Sequence, residues 1–154
     1  KKGMVINVGR PSRESIFLEM AKILSRRTTC RRRAVGCILV DKNNHVLATG
    51  YNGVGSGLSH CIETPCDGAR YPSGTGLDKC EAIHAEQNAL LQCKNVQEIE
   101  TAYITCSPCI HCAKLFLNTG VKTIYCESIY QNGYEAVDLL RSKGIKVELC
   151  QTLS

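Results

Sequence analysis

Two short stretches, His84–Ala85–Glu86 and Pro108–Cys109–Ile110–His111–Cys112, constrain this chain more than any other feature in it. Cys109 and Cys112 are three residues apart, the spacing that puts two side chains on one face of a helix. Pro108 stands where a first helical turn accepts proline. At a helix N-terminus the dipole favours the thiolate form of cysteine. Two thiolates and one imidazole fill three corners of a tetrahedron and leave the fourth open, which is the pattern of catalytic rather than structural zinc. A water in that open position becomes acidic near neutral pH. Any fold of this chain must therefore bring residue 84 against residues 109 and 112. Glu86, two residues past His84, turns its side chain off the His84 face toward the space where a substrate could sit. It is the expected proton carrier, its carboxyl tuned by burial and by a nearby metal.

The pattern around these stretches alternates between strand and helix. Ser12 can cap a helix over 12–27, with Ile16, Phe17, Met20, Ala21, Ile23 and Leu24 on one broad face. A strand over 35–40, a turn at 41–44 and a returning strand over 46–51 predict a hairpin. Further on, the sequence predicts a helix over 82–94 and a strand over 101–105. A helix over 109–119 follows, ended by Gly120. Then come a strand over 121–126, a helix over 133–142 and a strand over 145–149. Strands alternating with helices imply parallel pairing and a sheet covered on both faces. Between the two halves, residues 52–80 are rich in Gly and Pro and carry His60, Cys61, Cys66 and Cys80. So long an irregular stretch inside a compact domain needs an explanation, and metal cross-linking would supply one. No internal repeat or low-complexity segment is present. The expectation is a single domain over residues 1–154 with a cysteine-rich insert at about 52–80.

Composition narrows the class. The chain has 154 residues, 44% of them hydrophobic, which suits one domain with a real core and argues against disorder. No stretch approaches the ~20 apolar residues of a membrane span, and residues 1–10 lack an apolar signal region. A cytoplasmic protein without membrane partners is expected. The reducing cytosol disfavours a disulfide framework for the eleven cysteines. Closely spaced cysteines are then metal ligands or catalytic groups, and isolated ones are buried thiols. The formal net charge of +5 falls to +3 if one site with four thiolates forms beside a neutral two-thiolate, one-histidine site. The positive excess is local, in Arg26, Arg27, Arg31, Arg32 and Arg33. That run reads as a solvated helix end, as an anion site for a phosphate, or as a nucleic-acid contact. The absence of Trp and an aromatic content of 5% offer few platforms for stacked bases, so no nucleic-acid partner is expected.

Three runs carry a resemblance. They are Gly50–Tyr51–Asn52–Gly53, His84–Ala85–Glu86–Gln87–Asn88–Ala89 and Thr105–Cys106–Ser107–Pro108–Cys109–Ile110–His111–Cys112–Ala113–Lys114. Together they resemble the deoxycytidylate (dCMP) deaminase family, above all its bacterial and phage members. The resemblance extends over about residues 12–149. The H-x-E…P-C-x-x-C pattern is the signature of zinc deaminases at large, while G-Y-N-G, H-A-E-x-N-A and the cysteine-rich insert point to the dCMP branch. The resemblance implies an α/β chain with the three-layer α/β/α cytidine deaminase-like fold and a five-stranded mixed sheet. It implies hydrolysis of dCMP to dUMP and ammonia on the route to thymidylate, with His84, Cys109 and Cys112 holding Zn2+. Glu86 would pass protons to the ring nitrogen and then to the departing amine. It also implies a homohexamer, activated by dCTP with Mg2+ and inhibited by dTTP, with the effector site near the G-Y-N-G loop and the first helix. Asn52 would meet the sugar hydroxyl, and the backbone at Ala85 and Ser107 would meet the base. Tyr125 is a further candidate for the base pocket.

The phage relatives carry a structural zinc in the insert region. Cys30 and Cys61 stand in the matching places, and Cys66 and Cys80 complete a closed four-cysteine set. His60 is an alternative to one of them, and scattered buried thiols are the alternative to the whole set. Cys37, Cys93, Cys106, Cys126 and Cys150 read as core, His45 as surface, and His111 as surface or as a residue packed behind the metal ligands. Two rival readings stay open. One is the same chemistry on free cytidine, guanine, tRNA adenosine or single-stranded DNA cytosine. The other is a non-catalytic zinc-binding nucleotide sensor, against which the intact Glu86 weighs.

Overall fold

The computed structural model describes residues 9–30, 32–72, 75, 82–129 and 133–152. Helix α1 (Arg13–Ser25) starts where expected, with Ser12 Oγ accepting from the Ser15 amide at 3.1 Å. Strands β1 (Gly36–Val40) and β2 (Val46–Tyr51) form the antiparallel hairpin. Its turn is built by Asp41, whose carboxylate accepts from the amides of Asn43 and His45 at 2.8 and 2.9 Å. Strand β3 (Gly53–Val54), strand β4 (Ala82–Ile83) and helix α2 (Ala85–Gln92) follow. The chain continues as β5 (Thr101–Cys106), α3 (Ile110–Phe116), β6 (Thr123–Ser128), α4 (Tyr134–Ser142) and β7 (Lys146–Leu149).

The main sheet has five strands in the order β2-β1-β5-β6-β7. β1 is antiparallel to both β2 and β5, while β5, β6 and β7 run parallel. Strand–helix alternation alone implied parallel pairing; the leading hairpin makes the sheet mixed, as the resemblance implied. Side chains alternate between the two faces. Ile38, Val40 and Tyr103 pack under α1 with Leu18 and Ala21. Cys37, Leu39, Ile104, Ile124 and Cys126 pack on the other face with Ala85 and Ala89 of α2, Phe116 of α3 and Leu140 of α4. Among the described residues the result is three layers, with α1 on one face of the sheet and α2, α3 and α4 on the other.

Two glycines set how closely the helices approach. A Cβ on Gly36 would collide with the carbonyl oxygen of Ala21 and lie 3.2 Å from the amide nitrogen of Ser25. A Cβ on Gly50 would collide with the carbonyl oxygen of Ala85 and lie 2.6 Å from the amide nitrogen of Ala89. The backbones of α1 and α2 thus rest directly on β1 and β2, and no side chain could yield to make room.

The structure differs from the sequence expectations at two elements. The buried face of α1 is Ser15, Leu18, Ala21 and Ser25, whereas Ile16, Met20 and Ile23 are exposed. Apolar residues run around most of this helix, so its period did not single out the side that the Gly36 contact selects. The expected helix over 82–94 begins only at Ala85, because Ala82 and Ile83 pair with Val54 and Gly53 in a second, two-stranded sheet. Among the described residues no helix is long and apolar enough to cross a membrane.

Candidate active site

Both helices that carry the signature begin on one of its residues. His84 is the N-cap of α2, held extended (φ −69°, ψ 154°) by the β3–β4 pairing just before it. Its amide donates to Gln87 Oε1 at 2.8 Å, which fixes the turn from strand to helix. Cys109 is the N-cap of α3, and its sulfur accepts from the Cys112 amide at 3.5 Å. Cys109 therefore lies at the cap position and not within the helical face assumed from the three-residue spacing, yet the two sulfurs still converge. His84 Nδ1 lies 3.4 Å from Cys109 Sγ and 3.3 Å from Cys112 Sγ. The three donor atoms all lie within 4.8 Å of one another. Zinc–sulfur and zinc–nitrogen bonds of ~2.3 and ~2.0 Å at tetrahedral angles require N···S separations of roughly 3.5 Å. The donor set thus fits zinc in both chemistry and spacing. Among the described residues it is the only such cluster of His, Cys, Asp and Glu.

The electrostatics agree. The Cys112 side chain, then the His84 ring, hold Cys109 down at about 4 against the effect of burial. Cys112 is pushed well up by its hydrogen bond to Cys109 and by burial. The Cys109 sulfur raises His84, against burial. A metal bound among these three groups would displace the protons they carry.

Glu86 lies in the first turn of α2 at 4% exposure, next to the candidate ligands. Burial pushes its carboxyl up to about 7, with the His84 ring and a hydrogen bond from Cys112 opposing the rise. A carboxyl poised near neutrality both accepts and returns a proton. Its charge also bears on Cys37, Cys106 and Cys112, so the group faces a floor of thiols.

The other expected site residues divide. Asn52 is buried, and its side chain already serves the backbone: Oδ1 accepts from the Val35 amide at 2.9 Å, and Nδ2 donates to the Arg33 carbonyl at 2.6 Å. Ala85 is fully buried against β2. Ser107 is 1% exposed, and its amide donates to the Ser128 carbonyl at 2.8 Å. Tyr125 lies on the opposite face of the sheet from the zinc donors. It stacks on Tyr103, which stacks on Phe17 of α1. Strand alternation puts its neighbours Ile124 and Cys126 on the donor face instead.

In the insert, Cys61 and Cys66 bring their sulfurs to 3.8 Å. The Ile62 amide donates to the carbonyl of Thr29, the residue before Cys30. Cys30, Cys61 and Cys66 do not all lie within 4.8 Å of one another, and Cys80 lies outside the described residues. His45, His60 and His111 are exposed. Cys37, Cys106 and Cys126 are buried, while Cys93 and Cys150 are half-buried.

Sequence reasoning missed three supports. Gln87 locks the His84 turn. Asn88 Nδ2 donates to the Tyr51 carbonyl at 2.9 Å, tying α2 to the end of β2. Arg32 Nη1 donates to the carbonyls of Tyr71, Pro72 and Thr75 at 3.2, 2.9 and 2.6 Å, which straps the insert down beside the site. Gln87 and Asn88 fall inside the H-A-E-Q-N-A run, so their signal was present. The role of Arg32 depends on contacts across forty positions of sequence and had none.

The chain matches the family described as cytidine and deoxycytidylate deaminase zinc-binding region over residues 11–128. It is 36% identical over 142 residues to the deoxycytidylate deaminase of Schizosaccharomyces pombe, an alignment covering 90% of this chain and 44% of that protein. It is 36% identical over 127 residues to the deoxycytidylate deaminase of Mycobacterium phage D29, covering 76% of this chain and 95% of that protein. The crystal structure of the dCMP deaminase of cyanophage S-TIM5 in complex with dCMP and dUMP superposes with a TM-score of 0.74 at 33% identity. That superposition covers 92% of this chain and 98% of the phage chain. The chain spans 44% and 45% of the two yeast deoxycytidylate deaminases it matches, less than half of each. The family match takes in well over half of the chain, and the D29 relative is covered almost end to end; this chain belongs to the cytidine and deoxycytidylate deaminase family.

Proposed function

We propose that this chain hydrolyses the exocyclic amine of dCMP, giving dUMP and ammonia, with His84, Cys109 and Cys112 holding a catalytic zinc. The observation that carries the reading is the buried Glu86 beside a three-donor set that fits zinc and leaves one position open. Zinc bound there would make a water acidic enough to serve as the nucleophile near neutral pH. With zinc supplying such a water, Glu86 would accept one proton from it and pass it to N3 of the cytosine ring as hydroxide adds to C4. Glu86 would then carry the proton of the new C4 hydroxyl to the amino nitrogen, so that the C4–N4 bond breaks, ammonia leaves and the C4 carbonyl forms. Its near-neutral carboxyl suits both directions of transfer. The buried backbone at Ala85 and Ser107 would meet the base, and Asn52, buried with its side chain on the backbone of Val35 and Arg33, would stand beside the sugar.

Deoxycytidylate as substrate is supported by the names of the fission yeast and D29 relatives and by the S-TIM5 complex with dCMP and dUMP. The proposal extends to the family's wider properties: dUMP supply for thymidylate, activation by dCTP with Mg2+, inhibition by dTTP, a homohexamer of single-domain subunits, and a cytoplasmic setting. It also includes a second, structural zinc on Cys30, Cys61, Cys66 and Cys80. The 3.8 Å separation of Cys61 and Cys66 supports this, since two thiolates on one tetrahedral zinc stand roughly 3.8 Å apart.

The test is ammonia release from dCMP, CMP, deoxycytidine and a cytosine-containing oligonucleotide, each with and without Mg-dCTP, on zinc-replete protein. Turnover of dCMP, raised by dCTP, is expected. Turnover confined to another of these substrates would replace dCMP as the substrate, and turnover of none would reject the deaminase reading.

A further inference from the structure

We infer that Arg141 guards the open edge of the main sheet: its guanidinium, seated on the Val147 carbonyl, keeps β7 from pairing with β7 of a second copy of this chain.

The sheet ends on β2 at one side and on β7 at the other. Among the described residues β7 pairs with β6 alone. In a parallel ladder one residue turns both its N–H and its C=O to the neighbouring strand, and the next turns both the other way. The Lys146 amide donates to the Lys122 carbonyl and the Cys150 amide to the Cys126 carbonyl, both at 2.9 Å. Lys146, Glu148 and Cys150 therefore face β6 with their backbone groups, while Val147 and Leu149 turn theirs outward. A groove of about 370 Å³ runs along this side, lined by Arg141, Gly144, Ile145, Lys146, Val147 and Glu148. An outward row of backbone donors and acceptors is a template for another strand.

The side chains say which strand fits. Two β7 strands meeting antiparallel about a two-fold axis pair through their outward residues. Centred on Val147, the register sets Lys146 opposite Glu148 of the second copy, on both sides of the axis. These two residues are exposed, on the sheet face that carries Tyr125, since Tyr125 aligns with Glu148. On the other face Ile145 would cover Leu149, which is 57% exposed. Two opposite-charge pairs and the apolar contacts favour this register. Centred on Glu148, the strands would oppose two like charges. Centred on Leu149, they would set Glu148 against Cys150 and Lys146 against Thr152. Charges on an edge strand ordinarily discourage pairing, but here their order makes the strand complementary to itself.

Arg141 supplies the missing protection. Its Nη2 donates to the Val147 carbonyl at 2.7 Å. Val147 is the pivot of the favoured register, where each carbonyl would accept from the amide of the other copy. With that carbonyl engaged and a guanidinium laid across it, both central bonds are denied. The contact is not needed to close the turn between α4 and β7. That turn has its own backbone bonds, from the Gly144 amide to the Arg141 carbonyl and from the Ile145 amide to the Leu140 carbonyl, both at 3.1 Å. Arg141 itself is exposed, in the last turn of α4.

The experiment is sedimentation equilibrium over a concentration series, with amide hydrogen exchange, on wild type, Arg141→Ala and Arg141→Met. Methionine keeps a long side chain of good helix propensity and removes the donor, and circular dichroism checks that each variant folds. Both variants should double the mass of the wild-type species as concentration rises. The Val147 and Leu149 amides should gain protection in the doubled species only. Adding Glu148→Lys or Lys146→Glu to Arg141→Ala opposes like charges and should weaken the doubling roughly 10-fold. Mixing these two double variants should restore it, because every cross-strand pair is then opposite in sign. Folded Arg141→Ala and Arg141→Met that keep the wild-type mass at every concentration would overturn the inference, and a lowered Tm alone would leave Arg141 a local tie between α4 and β7. Doubling that ignores the charge changes would overturn it too, as would a wild type whose Val147 and Leu149 amides are already protected.

Discussion

Replacing Gly50 by alanine tests how the site is held. The new methyl carbon would sit 2.6 Å from the Ala89 amide nitrogen and 3.1 Å from Ala89 Cα, and closer still to the Ala85 carbonyl. All of these are backbone atoms of α2, so no rotamer change relieves them. Ordinary contact begins near 3.4 Å, so α2 must retreat by roughly 0.8 Å at Ala89, and by more at Ala85. Ala85 lies between His84 and Glu86, and the shift therefore passes directly to the candidate zinc ligand and the proposed proton carrier. Overpacking of this kind costs about 1–3 kcal/mol, a fall in Tm of about 3–10 °C for a chain of this size. A misplacement approaching 1 Å costs on the order of 100-fold in rate. The assay is steady-state dCMP turnover with metal analysis and calorimetry on Gly50→Ala. Gly57→Ala serves as control, since its Cβ meets nothing within 4 Å and only its φ of +87° is strained. The control should lose some stability and keep kcat. Wild-type kcat in Gly50→Ala would refute the claim that backbone contact at this glycine positions α2.

Glu86→Gln should retain zinc and fold but lose ~100- to 10,000-fold in kcat, the range of general acid–base catalysis; metal analysis beside turnover checks both halves, and retained activity would remove Glu86 from its role. Cys109→Ser should lose the catalytic metal, and unchanged zinc stoichiometry would count against this ligand set. Cys66→Ser should lose one further equivalent of zinc and lower Tm before it impairs chemistry, because metal binding there is folding energy; an unchanged melting temperature would dispose of the structural site.

The candidate site was legible in the sequence because its chemistry is packed into two short runs whose spacing survives folding. The donors converge as the H-x-E and C-x-x-C stretches imply, even though Cys109 caps its helix where the spacing had placed it inside one. The hairpin was legible from the strand–turn–strand pattern. The orientation of α1 was not, since its apolar residues cover too wide an arc for periodicity to choose Leu18 and Ala21 over Ile16 and Ile23. The resemblance makes Tyr125 a candidate for the base pocket, but its place near a strand end leaves the face undetermined. Strand parity sends the ring under α1. The two-residue strands β3 and β4 are too short to leave a pattern, and only their pairing across the insert defines them.

The capping positions of His84 and Cys109 bear on how the protein assembles. Helices α2 and α3 have eight and seven residues, and helices so short do not persist alone because nucleation outweighs the few bonds gained. Each begins on a candidate metal donor, at the residue where extended backbone turns helical. An ion held by His84, Cys109 and Cys112 would join the two nuclei across β5 and offset one loop-closure cost for both. The first turns of α2 and α3 would then form and fray as a single cooperative unit. In hydrogen exchange, stripping the metal would release the amides of both helix starts together, while the central strands of the sheet kept their protection.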